Sequence, residues 1–211
     1  MKIGLKKTRK MAKIITYIFF IFFCSLPVNF ANAQLEIPLA TEDNDSDGLN
    51  DLEEVSIYRT DPKDPDSDND GYLDGVEIKY NYDPNKNGDD VLLKEIFVNL
   101  ASQELTYSLG PYKIRTIKVS TGLSRTPTPK GEFAIIKKPP LVNYRGVGYN
   151  YPNTRWNMLF KTSPKGGYYI HGAYWHNNFG NPMSHGCVNV SYREMEPLYN
   201  WADEGIRVII E

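Results

Sequence analysis

The chain has 211 residues, with 24 Lys+Arg against 26 Asp+Glu for a net of −2, and it carries two cysteines and three histidines. Two thiols are too few for a disulfide-stapled scaffold, and a thiolate–histidine zinc centre normally draws on more ligands at regular spacing. The near-neutral total hides a segregation: residues 1–33 hold six bases and no acid, 34–90 hold 18 acids and four bases, and 91–211 hold 14 bases and eight acids.

The basic start, Lys2, Lys6, Lys7, Arg9, Lys10 and Lys13, runs into the apolar stretch Ile14 to Leu26 and then into Ala31-Asn32-Ala33. This is the layout of a secretory signal peptide, with cleavage expected after Ala33. The apolar run is shorter than the roughly 20 residues of a membrane-spanning helix, although an uncleaved anchor is the alternative reading. Cys24 lacks the small residues of a lipoprotein site before it. Export to the periplasm, the cell envelope or the medium is therefore expected, and removal of Cys24 leaves Cys187 as the single thiol.

Residues 34–90 carry a net charge of −14 (4 − 18), a composition usually found in disordered acidic linkers. The spacing argues for order. Asp43, Asp45 and Asp47 stand at positions 1, 3 and 5 of a twelve-residue calcium loop, Gly48 makes its turn, the Leu49 carbonyl is position 7, Asp51 position 9 and Glu54 the closing carboxylate. The pattern recurs at Asp66, Asp68, Asp70, the Tyr72 carbonyl, Asp74 and Glu77. A third start at Asp83 has Lys94 where a closing Glu belongs and reads as a terminal remnant. The Asp61-Pro62 and Asp64-Pro65-Asp66 links resemble thrombospondin type 3 repeats more than the paired loops of a dockerin. Few large apolar residues lie here, so metal must supply folding free energy. Calcium is expected to be structural, with a spacer or docking role toward envelope partners. Chelation is expected to unfold residues 43–90 and leave the rest standing.

Residues 91–211 carry +6 (14 − 8). That surface suits an anionic polymer; nucleic acid is disfavoured by the export signal and the lack of any binding motif. Short strands are predicted at 96–100, 104–108, 113–119, 133–136, 168–170, 188–190 and 206–210. Residues 139–157, rich in Pro, Gly, Tyr and Asn, are predicted to be a long loop over the site, in which Tyr144, Tyr149, Tyr151 and Trp156 could line a groove. Ser191 to Glu194 reads as a capping box opening a helix through Met195, Leu198 and Trp201, with Gly205 as its C-cap. The fold class is mainly β, with one helix packed on it.

The stretch from His171-Gly172 to Ser184-His185-Gly186-Cys187-Val188-Asn189 holds all three histidines and the retained cysteine. A thiol becomes a nucleophile as thiolate, and a nearby imidazole can take its proton. His185 lies two residues from Cys187, on the same side of an extended segment; His171 reaches it if the chain folds back. The Gly186 and Cys187 N–H groups could face a developing oxyanion. On residues alone, a buried structural thiol is an equal reading, and a metal site a weaker one.

His171-Gly172, Ser184-His185-Gly186-Cys187 and Asn189, together with Ser120-Thr121-Gly122 and Thr126-Pro127-Thr128-Pro129-Lys130-Gly131-Glu132-Phe133, resemble the signature of the L,D-transpeptidase (YkuD-type) catalytic domain over roughly residues 91–211. The resemblance implies a β-sandwich-like fold in which Cys187 attacks a peptidoglycan stem peptide and His171 is its general base. It further implies that the Gly172 carbonyl orients a neighbouring ring, that His185 and Gly186 shape the oxyanion hole, and that Ser184 fixes the turn. No cofactor is implied at this centre. The acceptor amine would belong to a second stem or to an envelope protein. A non-catalytic, calcium-stabilised wall-binding protein on the same fold is the alternative, and a sortase would need a different cysteine context. His176 is expected at the surface or in the lid.

Overall fold

The computed structural model describes residues 42–88, 90–164 and 166–211; the expected signal peptide and its cleavage site lie outside these. The architecture is mainly β. Ten strands run in chain order as β1 (Lys94–Asn99), β2 (Glu104–Leu109), β3 (Tyr112–Ser120), β4 (Gly131–Ala134), β5 (Leu141–Gly146), β6 (Tyr149–Arg155), β7 (Asn157–Ser163), β8 (Gly166–Ala173), β9 (Val188–Ser191) and β10 (Arg207–Ile210). The helices are α1 (Asp51–Glu53), continued by a single π turn over Glu54–Tyr58, α2 (Asp74–Tyr80) and α3 (Tyr192–Trp201).

Eight strands hydrogen-bond in the order β4-β10-β1-β2-β3-β9-β8-β7. The nine-residue β3 is the corner between two layers: its length to Lys118 pairs with β2, and its last two residues, Val119 and Ser120, pair with β9. The edges approach each other as well. Ile136 N–H donates to the Leu159 carbonyl at 2.7 Å, Leu159 N–H to the Lys137 carbonyl at 2.8 Å, and the Phe133 and Phe160 rings stand 5.3 Å apart. The layers thus close on an apolar interior that includes Ile96, Val98, Leu105, Val119, Ile170 and Val190. Strict alternation in β2, with Leu105, Tyr107 and Leu109 buried, is the period-2 signal of a half-buried strand. In β7, Asn157 through Phe160 are all buried, so no alternation marks it.

Helix α3 seals one end of this core with Met195 and Leu198, both fully buried. Its start uses half of the expected capping box. Ser191 Oγ accepts from Glu194 N–H at 3.3 Å, while the Glu194 carboxylate turns to Arg115 on β3 (2.9 Å) instead of back to Ser191. The helix stops at Ala202, in extended backbone, and not at Gly205, which turns the chain into β10 and donates its N–H to the Ile135 carbonyl.

Two expectations change here. Residues 139–157 are not an unstructured loop. They hold the hairpin β5–β6, a two-stranded sheet separate from the main one, turned at Val147-Gly148. The acidic module is also not independent of the strands. Leu49 and Tyr58 share a buried cluster with Leu92, Leu109 and Tyr112, so the calcium-loop segment packs on the β2–β3 turn. The Tyr58 and Tyr112 rings meet edge-on at 5.5 Å. The Tyr112 hydroxyl donates to the buried Asp83 carboxylate, and Asn85 Nδ2 donates to the Tyr112 hydroxyl (3.0 Å) and the Tyr58 carbonyl (2.9 Å). Asp83, read from sequence as the start of a vestigial loop, is therefore a pin between module and sheet; Tyr112, Lys86 and the Asn85 N–H hold its carboxyl below the usual range against the effect of burial.

Candidate functional site

β8 and β9 are parallel neighbours, with His171 paired to Asn189 and Ile170 to Val188. Period-2 alternation therefore puts Tyr169, His171, Cys187 and Asn189 on one face. The fold-back that would bring His171 to Cys187 is this parallel pairing. Both line one small cavity of about 60 Å³, together with Tyr144, Tyr149, Tyr151, Trp175, Met183, Ser184, His185 and Asn189.

The turn before Cys187 is held from within. Gly186 N–H donates to Ser184 Oγ at 3.0 Å, and Ser184 Oγ donates to the Cys187 carbonyl at 2.5 Å. Gly186 has φ +117°, and a Cβ there would stand 2.7 Å from the Tyr168 ring, so a side chain has neither the backbone geometry nor the room. The Gly186 N–H, expected at an oxyanion, is engaged by Ser184, leaving the Cys187 N–H as the amide of this turn for that task. The Ser120–Phe133 block buttresses the turn from behind: Leu123 N–H and Thr126 Oγ1 both donate to the Ser184 carbonyl, at 3.0 and 3.3 Å. That explains in contacts why two motifs distant in sequence accompany one another.

His171 is 2% exposed. Its Nδ1 lies 2.9 Å from the Gly172 carbonyl, which can only accept, so the proton sits on Nδ1 and Nε2 keeps its lone pair. The ring that Gly172 orients is thus His171 itself and not a neighbour. Burial lowers the His171 pKa to about 4, against the pull of the Gly172 carbonyl, with His176 adding to the lowering. Burial raises Cys187 to about 11, opposed by a backbone hydrogen bond from Tyr169. At neutral pH the two groups are a thiol and a neutral imidazole.

Aromatic rings wall the cavity. Tyr144 of β5 stacks on His171 (4.5 Å between centroids) and donates its hydroxyl to Asn157 Oδ1 at 2.9 Å. Tyr149 stacks on His185 at 4.6 Å, and Tyr151 lies flat on Trp175 at 3.8 Å with 4° between planes. The hairpin is thereby laid over the thiol by stacking. Trp156 does not join the groove; it packs edge-on against Tyr192 under the core. Trp175 and Met183 are the lining residues that sequence reading missed, although for Trp175 its place four residues after His171, at the mouth of the return loop, was the available signal.

The two acidic loops fold alike. Asp43 accepts from Asp47 and Gly48 N–H as Asp66 does from Asp70 and Gly71, and Asp47 and Asp70 accept from Leu49 and Tyr72 N–H. Asp43, Asp45 and Asp47 bring one oxygen each within 4.8 Å of one another, as do Asp66, Asp68 and Asp70. Buried oxygens of Asp45, Glu54, Asp68 and Glu77 lack a hydrogen-bond partner among the described residues. Burial first, then neighbouring carboxylates, raise Glu54 to about 7 and Glu77 to about 8. Crowded, unpartnered carboxylate oxygens are the donor set of a hard cation, so the residues fit calcium. Asp51 accepts from Asn44 N–H (2.9 Å) and Nδ2, and Asp74 from Ser67 N–H (3.0 Å) and Oγ (2.6 Å), at position 2 of their own loops, while Asp74 also brings an oxygen within 4.8 Å of Asp47 and Glu54. Asp51 and Asp74 thus brace the loops. Asp47 Oδ2 also accepts from Gly75 N–H at 2.8 Å, locking one repeat onto the next at a spot where a Cβ would meet the Asp47 carbonyl oxygen at 2.5 Å.

Residues 93–210 match the family described as the L,D-transpeptidase catalytic domain, and residues 43–65 and 66–87 each match the bacterial TSP3 repeat. The curated L,D-transpeptidase YkuD of Bacillus subtilis is 30% identical over 115 residues, covering 54% of this chain and 64% of that protein. Its Bacillus licheniformis counterpart is 26% identical over 121 residues, 57% and 67% of the two chains. Among solved structures, an L,D-transpeptidase from Mycobacterium smegmatis aligns with a TM-score of 0.51 at 23% identity over 57% of this chain and 59% of that one. L,D-transpeptidase 3 from Mycobacterium tuberculosis aligns with a TM-score of 0.51 at 20% identity, 57% and 62%. These structural likenesses are of fold, and the chain spans about three fifths of those two structures' lengths.

Proposed function

Because this chain belongs to the L,D-transpeptidase (YkuD-type) catalytic-domain family, we propose that it is an exported wall acyltransferase in which Cys187 carries a peptidoglycan stem peptide as a thioester. The observation that carries this reading is the convergence of Cys187 and His171 on one cavity, with the His171 proton tied to the Gly172 carbonyl on Nδ1. Nε2 is left as the base. It takes the Cys187 thiol proton as Sγ attacks the carbonyl of the third stem residue. The C–S bond forms, the Cys187 N–H supports the oxyanion, and the C–N bond breaks as the terminal D-alanine leaves with the proton from Nε2. An amine from a second stem or an envelope protein then attacks the thioester. Its proton passes through Nε2 to sulfur, an amide forms and the C–S bond breaks.

Tyr144, Tyr149 and Tyr151 of the β5–β6 hairpin line the cavity together with Cys187, so on this reading the hairpin forms one wall of the groove that takes the stem peptide. At the other end, Asp43, Asp45, Asp47 and Glu54, and Asp66, Asp68, Asp70 and Glu77, hold calcium with the Leu49 and Tyr72 carbonyls. Bound there, calcium neutralises the clustered carboxylates and supplies folding free energy.

Incubation with a carbapenem followed by mass spectrometry tests the nucleophile. The wild type is expected to gain one adduct that maps to Cys187 and is absent from Cys187→Ala. A wild type that stays unmodified would sink the acyltransferase reading. Muropeptide analysis with tetrapeptide substrate then identifies the acceptor.

A further inference from the structure

The third histidine has no part in the scheme above, yet it is built into the site. His176 is half-buried on the return loop, packed against Phe179 with 4.8 Å between ring centroids. Its Nδ1 accepts the Asn178 backbone N–H at 3.2 Å, and its Nε2 stands 3.1 Å from Asn189 Nδ2. Asn189 is 3% exposed, pairs with His171 across the strands and lines the thiol cavity. The loop that carries His176 is itself fastened to β3: Ser120 Oγ donates to the Asn178 carbonyl at 3.1 Å, and Gly180 N–H to the Val119 carbonyl at 2.8 Å.

The chemistry of these contacts is restrictive. A backbone N–H can only donate, so Nδ1 of His176 holds a lone pair. A neutral imidazole carries one proton, which must then sit on Nε2. Nε2–H needs an acceptor, and Asn189 Nδ2 cannot serve as one, so the tautomer requires the carboxamide turned over, with its oxygen in the place of Nδ2. Oxygen and nitrogen of a carboxamide are the same in shape, and the hydrogen-bond network decides between them. With the oxygen drawn to His176, the NH₂ group is the end left to the cavity, where Asn189 makes no other side-chain hydrogen bond among the described residues.

We propose that His176 is a positioning residue: it fixes the Asn189 carboxamide so that its NH₂ is held as a donor beside Cys187, for the carbonyl oxygen of the acyl donor. The proposal rests on the acyltransferase reading and deepens it. A donor whose orientation is fixed beforehand stabilises developing negative charge without reorganising during the reaction. Without the imidazole the amide rotates freely, and its oxygen faces the substrate part of the time.

The test compares two reactions of Cys187. Acylation by a carbapenem develops an oxyanion; alkylation by iodoacetamide, which displaces iodide, does not. His176→Phe keeps a ring but loses the Nε2–H, and is expected to slow acylation about tenfold, less than loss of a whole donor, with the alkylation rate unchanged. His176→Gln restores an N–H near the Nε2 position and should return acylation to within about threefold of wild type. Asn189→Asp keeps size and the bond to His176 while presenting oxygen to the cavity, so it should show the same selective loss and serves if His176→Phe does not fold. Acylation and alkylation falling together in these variants, or neither falling, overturns the positioning role alone. A wild type that alkylates but never acylates removes the acyltransferase reading and this role with it.

Discussion

The thiol and imidazole of this site rest uncharged, and that has a consequence for pH. His171 stays neutral down to about 4 because burial disfavours its cation, and Cys187 stays protonated up to about 11 for the matching reason. A ring with a lowered pKa loses its base function only when pH falls through that lowered value. The carbapenem acylation rate is therefore expected to be flat from about pH 8 to about pH 5 and to fall through a midpoint near 4. A midpoint near the ordinary histidine value of about 6.5 would show that the ring is wet and the neutral pair wrong. At this scale much of the site was legible in sequence. The two blocks that accompany each other needed only resemblance, whereas His185 and Cys187 flank Gly186 at φ +117° in a turn and not in the extended segment expected. The engagement of Gly186 N–H was not legible because its partner, Ser184 Oγ, is two residues away in a turn whose shape the sequence does not display. For His176, expected at the surface or in the lid, the link to Asn189 was hidden for a similar reason: that partner lies 13 residues on, across a loop.

Among the elements, the β5–β6 hairpin departs furthest from sequence expectation. Its strands hold Tyr, Pro, Asn, Gly and Arg, with no run of buried apolar residues to signal a strand. Its order comes from its own ladder and from rings that stack on His171, His185 and Trp175, contacts invisible until β8 and β9 are placed. β7 was missed for the opposite reason, since four buried residues in succession give no period. If stacking holds the hairpin down, removing it should loosen substrate capture more than chemistry. Tyr149 stacks on both His185 and Tyr151, and such pairs contribute about 0.5–1.5 kcal/mol each. Tyr149→Ala is expected to raise the carbapenem concentration for half-maximal acylation roughly three- to tenfold while the saturating rate changes less. A loss confined to the saturating rate would place Tyr149 in the chemistry and not in the cover.

For the molecule as a whole, the segregation of charge was plain in sequence, but the joint between the acidic module and the sheet was not. Leu49, Tyr58 and Tyr112 are isolated apolar residues in their own segments and become a cluster only in three dimensions. The joint predicts that chelation is felt beyond residues 43–90. All three tryptophans, Trp156, Trp175 and Trp201, lie in the strand-rich half, so their fluorescence reports that half alone. A chelator is expected to lower its melting temperature. Tyr112→Phe, which removes a hydrogen bond to the buried Asp83 carboxylate, should by itself cost about 2 kcal/mol and shrink the chelator's further effect. A tryptophan transition indifferent to chelator would mean that the two halves melt as strangers. Leu49 shows what the coupling implies. Its carbonyl belongs to an acidic loop that matches the bacterial TSP3 repeat and holds calcium on the reading proposed above, and its side chain shares a buried cluster with Leu109 and Tyr112. Modules of this extracellular kind hold calcium at about 10⁻⁴–10⁻³ M, a level met outside the cell and not within. Under the proposed export, the hinge is slack during synthesis and sets only on arrival, so the compartment itself works as the latch.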